Sequence, residues 1–131
     1  MDCSGILKYP GLILAGDLNF TLSACEIWWS ANLDPLAEYF NKLFLEESLI
    51  DVVPTKMTST WCNGRRGGEG ISKRMDRLSI ADNLVASVGR VRSWTVKSSN
   101  LDHKPICLQC EGDFNFPKFP FKLNHVWLDD D

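Results

Sequence analysis

The chain has 131 residues, a length that suits one domain with a real core. Hydrophobic residues make up 44% and charged residues 24%, a globular balance that excludes disorder over the whole length. The net charge of −3 argues at first against a nucleic-acid partner, and no apolar run approaches the roughly 18–20 residues a membrane span requires.

The opening, MDCSGILKYPGLILAG, has only Lys8 as a positive region, and Pro10 and Gly11 interrupt its apolar part. That makes a poor secretory signal, so a soluble intracellular protein without membrane contact is expected. Leu12 to Ala15 (LILA) closes at Gly16 and suits a strand buried on both faces, with GDLN at its C-terminal end. Leu33 to Glu47 reads as a helix: Asp34 can cap, Pro35 suits the first position, and Leu36, Phe40, Leu43 and Phe44 share a face. Leu49 to Val53 is a brief extended piece ended by Pro54.

Thr58 to Cys62 alternates as a strand does, and Asn63 to Gly70 is a glycine- and arginine-rich loop. Ser72 to Ala81 (SKRMDRLSIA) is expected to return as one strand, making a hairpin with a long basic tip. Asp82 to Val88 suits a short helix, Val91 to Lys97 another strand, Ser98 to Asp102 a loop, and Pro105 to Cys110 the last strand. From residue 113 to 131, aromatics alternate with breaks and no period emerges, so an extended acidic tail is expected. The order predicts an α/β (α+β) fold with antiparallel pairing, as one mixed or antiparallel sheet plus helix.

Five cysteines, odd in number and scattered, form no disulfide framework. Cys107 and Cys110 make a lone CxxC, but three apart on a strand they point to opposite faces, which favours a strand core over a metal or redox pair. The charge is unevenly placed. Arg65, Arg66, Lys73, Arg74 and Arg77 stand against Glu69 and Asp76, a local +3, while the acidity lies in the tail. A basic patch on a neutral body can bind phosphates, although a solvated hairpin tip explains the same residues.

Three polar motifs sit at strand ends, where sites commonly gather: GDLN (Asp17, Asn19), RMDR (Asp76) and LDHKP (Asp102, His103). Hydrolysing a phosphodiester takes an activated water, neutralised phosphoryl oxygens and a stabilised leaving oxygen. Carboxylates holding Mg²⁺ or Mn²⁺, a carboxylate or histidine base and an amide donor can supply these. Each motif alone has a plainer explanation. Asp-x-Asn after a strand is often a turn, Asp-His a surface or capping element, and Asp76 a partner for its neighbouring arginines.

GDLN, then TW with Asn63, then KRMDR, then LDHKPI, in that order, resembles the second half of the endonuclease/exonuclease/phosphatase superfamily. LILAGDLNFTLSACEIWW, TWCNGRRGGEGISKRMDRL and FPFKLNHVWL are most similar to the apurinic/apyrimidinic-type endonuclease domain of plant long-interspersed-element retrotransposons, including the linker before a reverse transcriptase. The resemblance implies half of a four-layer α/β sandwich over residues 1–112, Mg²⁺ or Mn²⁺, DNA as partner and a nuclear setting. It also implies that Asp17 is the base or water-orienting aspartate and Asn19 faces the phosphate. Asp76 would orient His103, His103 would contact the scissile phosphate, and Asp102 would lie at the metal. Arg65, Arg66, Lys73 and Arg74 would meet the DNA backbone.

Two departures bear on activity. GDLN begins at residue 16, and the family's metal-ligating glutamate, its neighbouring asparagine and its substrate-facing tyrosine precede that motif; Glu26 and Tyr9 do not match their places. Leu101 stands where the family has serine. The expectation is therefore a truncated endonuclease domain, inactive alone, or else a non-catalytic nucleic-acid-binding module using the basic loop 65–77. An uncovered apolar sheet face would favour self-association, unless Trp28, Trp29 and the tail's Phe114, Phe116, Phe119 and Phe121 cover it.

Overall fold

A computed structural model describes residues 11–30, 32–98 and 101–112. Among them the fold is mixed α+β: two helices and three small antiparallel sheets. The first sheet has the order β1 (Ile13–Asp17), β6 (Asp76–Ala81), β3 (Leu49–Asp51). The second runs β2 (Ile27–Trp28), β5 (Ser72–Lys73), β4 (Trp61–Cys62), and the third pairs β7 (Val91–Thr95) with β8 (Ile106–Cys110). Helix α1 spans Ala37–Glu46, between β2 and β3, and α2 spans Asp82–Val88, directly after β6. The aromatic tail, Cys3, Tyr9 and part of the loop before Asp102 lie outside the described residues.

Helix α1 begins later than its spacing predicts. Asp34 accepts the Leu36 N–H on one carboxylate oxygen and the Thr21 N–H on the other, so Pro35 and Leu36 form a turn and the helix opens at Ala37. Phe40 and Phe44 lie inward, whereas Tyr39 and Leu45 face outward. Phe20, placed just after GDLN, stacks on Phe40 with ring centroids 3.6 Å apart and meets Phe44 edge-on at 6.2 Å. With Leu49 and Ala81 these rings form the core, and Leu12, Leu18 and Leu22 pack against it. Helix α2 stops at Gly89, whose φ of +67° suits glycine and would strain a side chain.

Four strand expectations need correction. The single sheet is three. Thr58 to Cys62 pairs only at Trp61–Cys62. LILA is not buried on both faces: in β1 exposed and half-buried positions alternate. Ile13 and Ile50 flank Ile80 across the register on one face; Ile80 is 1% exposed, but Ile13 and Ile50 are 43% and 45%.

The fourth correction concerns SKRMDRLSIA, which is two strands in two sheets, broken at Arg74–Met75. The break has a cause. The buried Thr60 Oγ1 accepts both the Met75 and the Asp76 N–H, at 3.0 and 2.9 Å. Arg74 and Arg77 both turn inward. Arg74 donates to Glu26 at 2.7 Å and to both oxygens of Asp51, at 2.7 and 3.0 Å. Arg77 donates to Glu26 and to Asp51, and its guanidinium lies 5.5 Å from the Phe20 ring centroid.

Burial works against the Glu26 charge, yet hydrogen bonds from Arg77 and the Leu22 N–H, with the Arg77 charge, hold its carboxyl below the ordinary value. Burial likewise opposes the Arg74 charge, and Asp51 and Glu26 outweigh it, raising the guanidinium further. Removing one member leaves the others buried and uncompensated. Arg77→Met is expected to lower stability by about 3–5 kcal/mol in urea denaturation. Because Glu26 is depressed, its contribution is full above the unfolded-state value of roughly 4.3 and fades as pH falls through the lower folded value. Glu26→Gln should therefore flatten the acid limb of the stability curve.

Candidate functional site

Three segments far apart in sequence meet at one end of the first sheet. Asp17 ends β1 and Asp76 begins β6, and the two are direct cross-strand partners. Like charges placed so are destabilising unless something stands between them. His103 does. Its Nδ1 lies 2.9 Å from Asp76 Oδ2 and its Nε2 3.8 Å from Asp17 Oδ2.

The histidine is held from behind. Trp61 of β4 forms an isolated antiparallel bridge with His103, the Cys62 N–H donates to the Asp102 carbonyl, and the Lys104 N–H to the Thr60 carbonyl. Asp76 is fixed through its own N–H on Thr60 Oγ1. The hydrogen bond to Asp76, opposed by partial burial and assisted by the charges of Asp76, Asp17 and Asp102, raises the imidazole above its ordinary value. The arrangement is carboxylate–imidazole–carboxylate, with Nδ1 against Asp76 and Nε2 turned toward Asp17.

Asp17 Oδ1 accepts the Asn19 N–H at 2.9 Å, so the turn that Asp-x-Asn suggests is present and also orients the aspartate. Asn19 sits at φ +55°, a conformation asparagine tolerates, and is exposed at the site. Asp102, the residue expected at the metal, lies outside the Asp17, Asp76 and His103 cluster. It is exposed, and its Oδ1 turns back to accept the His103 N–H at 3.1 Å.

One ligand atom each from Asp17, Asp76 and His103 lies within 4.8 Å of the others, the one such group among the described residues. The donor set does not by itself fit Mg²⁺. Mg²⁺ demands near-octahedral oxygen ligands, whereas here one of three donors is an imidazole bound to a carboxylate and inclined to carry positive charge.

The basic segment is less basic at the surface than its composition indicates. Arg74, 2% exposed, and Arg77 are consumed by Glu26 and Asp51, so the expectation that Arg74 meets a DNA backbone is corrected: burial removes it from any phosphate. Arg65 and Arg66 are exposed, with Arg65 3.5 Å from Glu69, and Lys73 is half-buried in β5. Asn63 ties the loop together by donating to the Glu69 carbonyl and accepting from Arg65 and Ile71.

Glu26, Asp51 and Thr60 escape sequence reasoning. The available signal was the pair of arginines inside an apolar strand, which requires internal counterions but does not say which. No protein-family model matches the chain, and no curated protein matches it. No helix among the described residues is long and apolar enough to cross a membrane.

His103 titration tests the geometry directly. Its raised value means the imidazolium contact with Asp76 is fully present below the unfolded-state pKa of roughly 6.5 and is lost as pH rises through the folded value. By NMR, His103 should titrate above that reference in the wild type, and Asp76→Asn should return it toward the reference. A His103→Ala spectrum separates it from His125, the other histidine.

Proposed function

We propose that this chain carries the histidine-and-aspartate part of a phosphodiester-hydrolysing site of the DNA endonuclease kind, within half of a four-layer sandwich, and does not cleave DNA alone. One observation carries the proposal: Asp76, His103 and Asp17 form a continuous line of contacts, with the imidazole between two carboxylates. An imidazolium held by Asp76 through Nδ1–H presents Nε2–H as a charged donor to a phosphate oxygen. Asp17, its Oδ1 fixed by the Asn19 N–H, keeps Oδ2 free to orient a water for attack on phosphorus. Asn19 adds an exposed amide beside them.

What the described residues do not bring together limits the chemistry. Neutralising the phosphoryl oxygens takes more than one imidazolium, and Glu26, the nearest acid in sequence after GDLN, is spent on Arg74 and Arg77. A divalent metal would supply that neutralisation only with ligands beyond Asp17, Asp76 and His103, and in this proposal DNA in the nucleus is the partner.

A short DNA duplex titrated into the protein is expected to shift the His103 ring resonance saturably, and Asp76→Asn should abolish the shift. Supercoiled plasmid with Mg²⁺ should be nicked no faster than with the His103→Ala protein. An unperturbed His103 would overturn the phosphate-binding reading. Robust nicking that depends on His103 would overturn the inactivity.

A second reading, a binding module without chemistry, is favoured by one feature. Trp29, 77% exposed, and Arg65 and Arg66 line one groove of about 430 Å³ beside the hairpin loop. Arg65→Ala/Arg66→Ala should then weaken DNA binding, and binding should fall as salt rises. Salt-independent binding would count against it.

A further inference from the structure

One cavity among the described residues has none of Asp17, Asn19, Asp76 and His103 in its lining. It encloses about 630 Å³, between the segment after β3 and the end of β7, within the range of about 300–1,000 Å³ typical of small-ligand sites. Three lysines line it, Lys56, Lys97 and Lys104, and no carboxylate does among the described residues. Lys56 and Lys97 are exposed, and neither makes an ion pair among the described residues. Lys104 is held in place: its Nζ donates to the Ser59 carbonyl at 3.0 Å and to Ser59 Oγ at 2.9 Å, which leaves one of its three N–H bonds free.

Two further features narrow the ligand. Trp94 lines the same cavity with 43% of its surface exposed, although it lies on a strand where an outward aromatic gains little from the core. Thr58 also lines it, and its Oγ1 is buried with no hydrogen-bond partner among the described residues. A buried, unpartnered hydroxyl costs free energy. Lysines alone describe a site for a simple anion, and an exposed indole alone describes an apolar contact. Together, around one cavity, they describe a ligand with a phosphate at one end and a flat aromatic ring at the other.

We propose that this cavity binds a 5′-phosphorylated nucleoside, with the phosphate among Lys56, Lys97 and Lys104 and the base stacked on Trp94. The ligand is either a free mononucleotide or the terminal unit of a strand; the chemistry recognised is the same. The site shares no side chain with the Asp76–His103–Asp17 group, so failure of either leaves the other standing.

Calorimetry on the full chain at low salt, with dAMP, adenosine, inorganic phosphate and a short 5′-phosphorylated oligo-dA, decides the matter. Saturable dAMP binding is expected, with adenosine and phosphate each clearly weaker, and with affinity falling as salt rises. Trp94→Leu should weaken dAMP by about tenfold, in line with a lost base stack. Lys56→Ala/Lys97→Ala, at two exposed positions where folding is not at risk, should weaken it at least as much. Tighter binding of the oligonucleotide than of dAMP identifies a strand end as the source, and the reverse identifies the free nucleotide. No saturable binding by either overturns the proposal. So does phosphate binding as tight as dAMP, or affinity unchanged in both variants.

Discussion

Glu26, Asp51, Arg74 and Arg77 place four formal charges in the interior of a small domain, and each guanidinium spans both carboxylates. Taking charges out of water is costly, and a hydrophobic replacement of similar volume often does as well energetically. What the quartet provides here is position. Its members come from the turn before β2, from β3, from the break between β5 and β6, and from β6 itself. The chain crosses from the second sheet to the first at Arg74–Met75, and the two arginines either side of Asp76 fix both sheets to the same pair of acids. Arg77 also borders Phe20, so the charged interior and the aromatic core share a wall.

The candidate site follows from that arrangement. With Arg77 inward on one face of β6, alternation puts Asp76 on the other, opposite Asp17. Two carboxylates facing each other need a cation, and the loop after β7 supplies an imidazole. The same requirement explains why His103 takes a proton more readily than an ordinary histidine. The group differs from a ready-made cation shell in that one of its three ligand atoms is on an imidazole whose other ring nitrogen is already bonded to a carboxylate.

The sequence made some of this legible and hid the rest for physical reasons. Local patterns located both helices and most strands, because alternation and helical spacing act over a few residues. GDLN, KRMDR and LDHKP named the residues that meet, since motif order survives without coordinates. The buried quartet was hidden because Arg74 and Glu26 lie 48 positions apart, and nothing near either one indicates the other. Read locally, Arg65 through Arg77 is one basic surface; only tertiary pairing divides it into an exposed tip and a sequestered base. The break in SKRMDRLSIA was hidden for a related reason: a threonine 15 positions away, just before β4, takes the Met75 N–H.

Thr60, Trp61 and Cys62 tie His103 and its neighbours to the strand that also carries the loop from Asn63 to Gly70. The backbone that carries the imidazole and the loop that carries Arg65 and Arg66 are therefore anchored to one short strand, through Trp61 and Cys62.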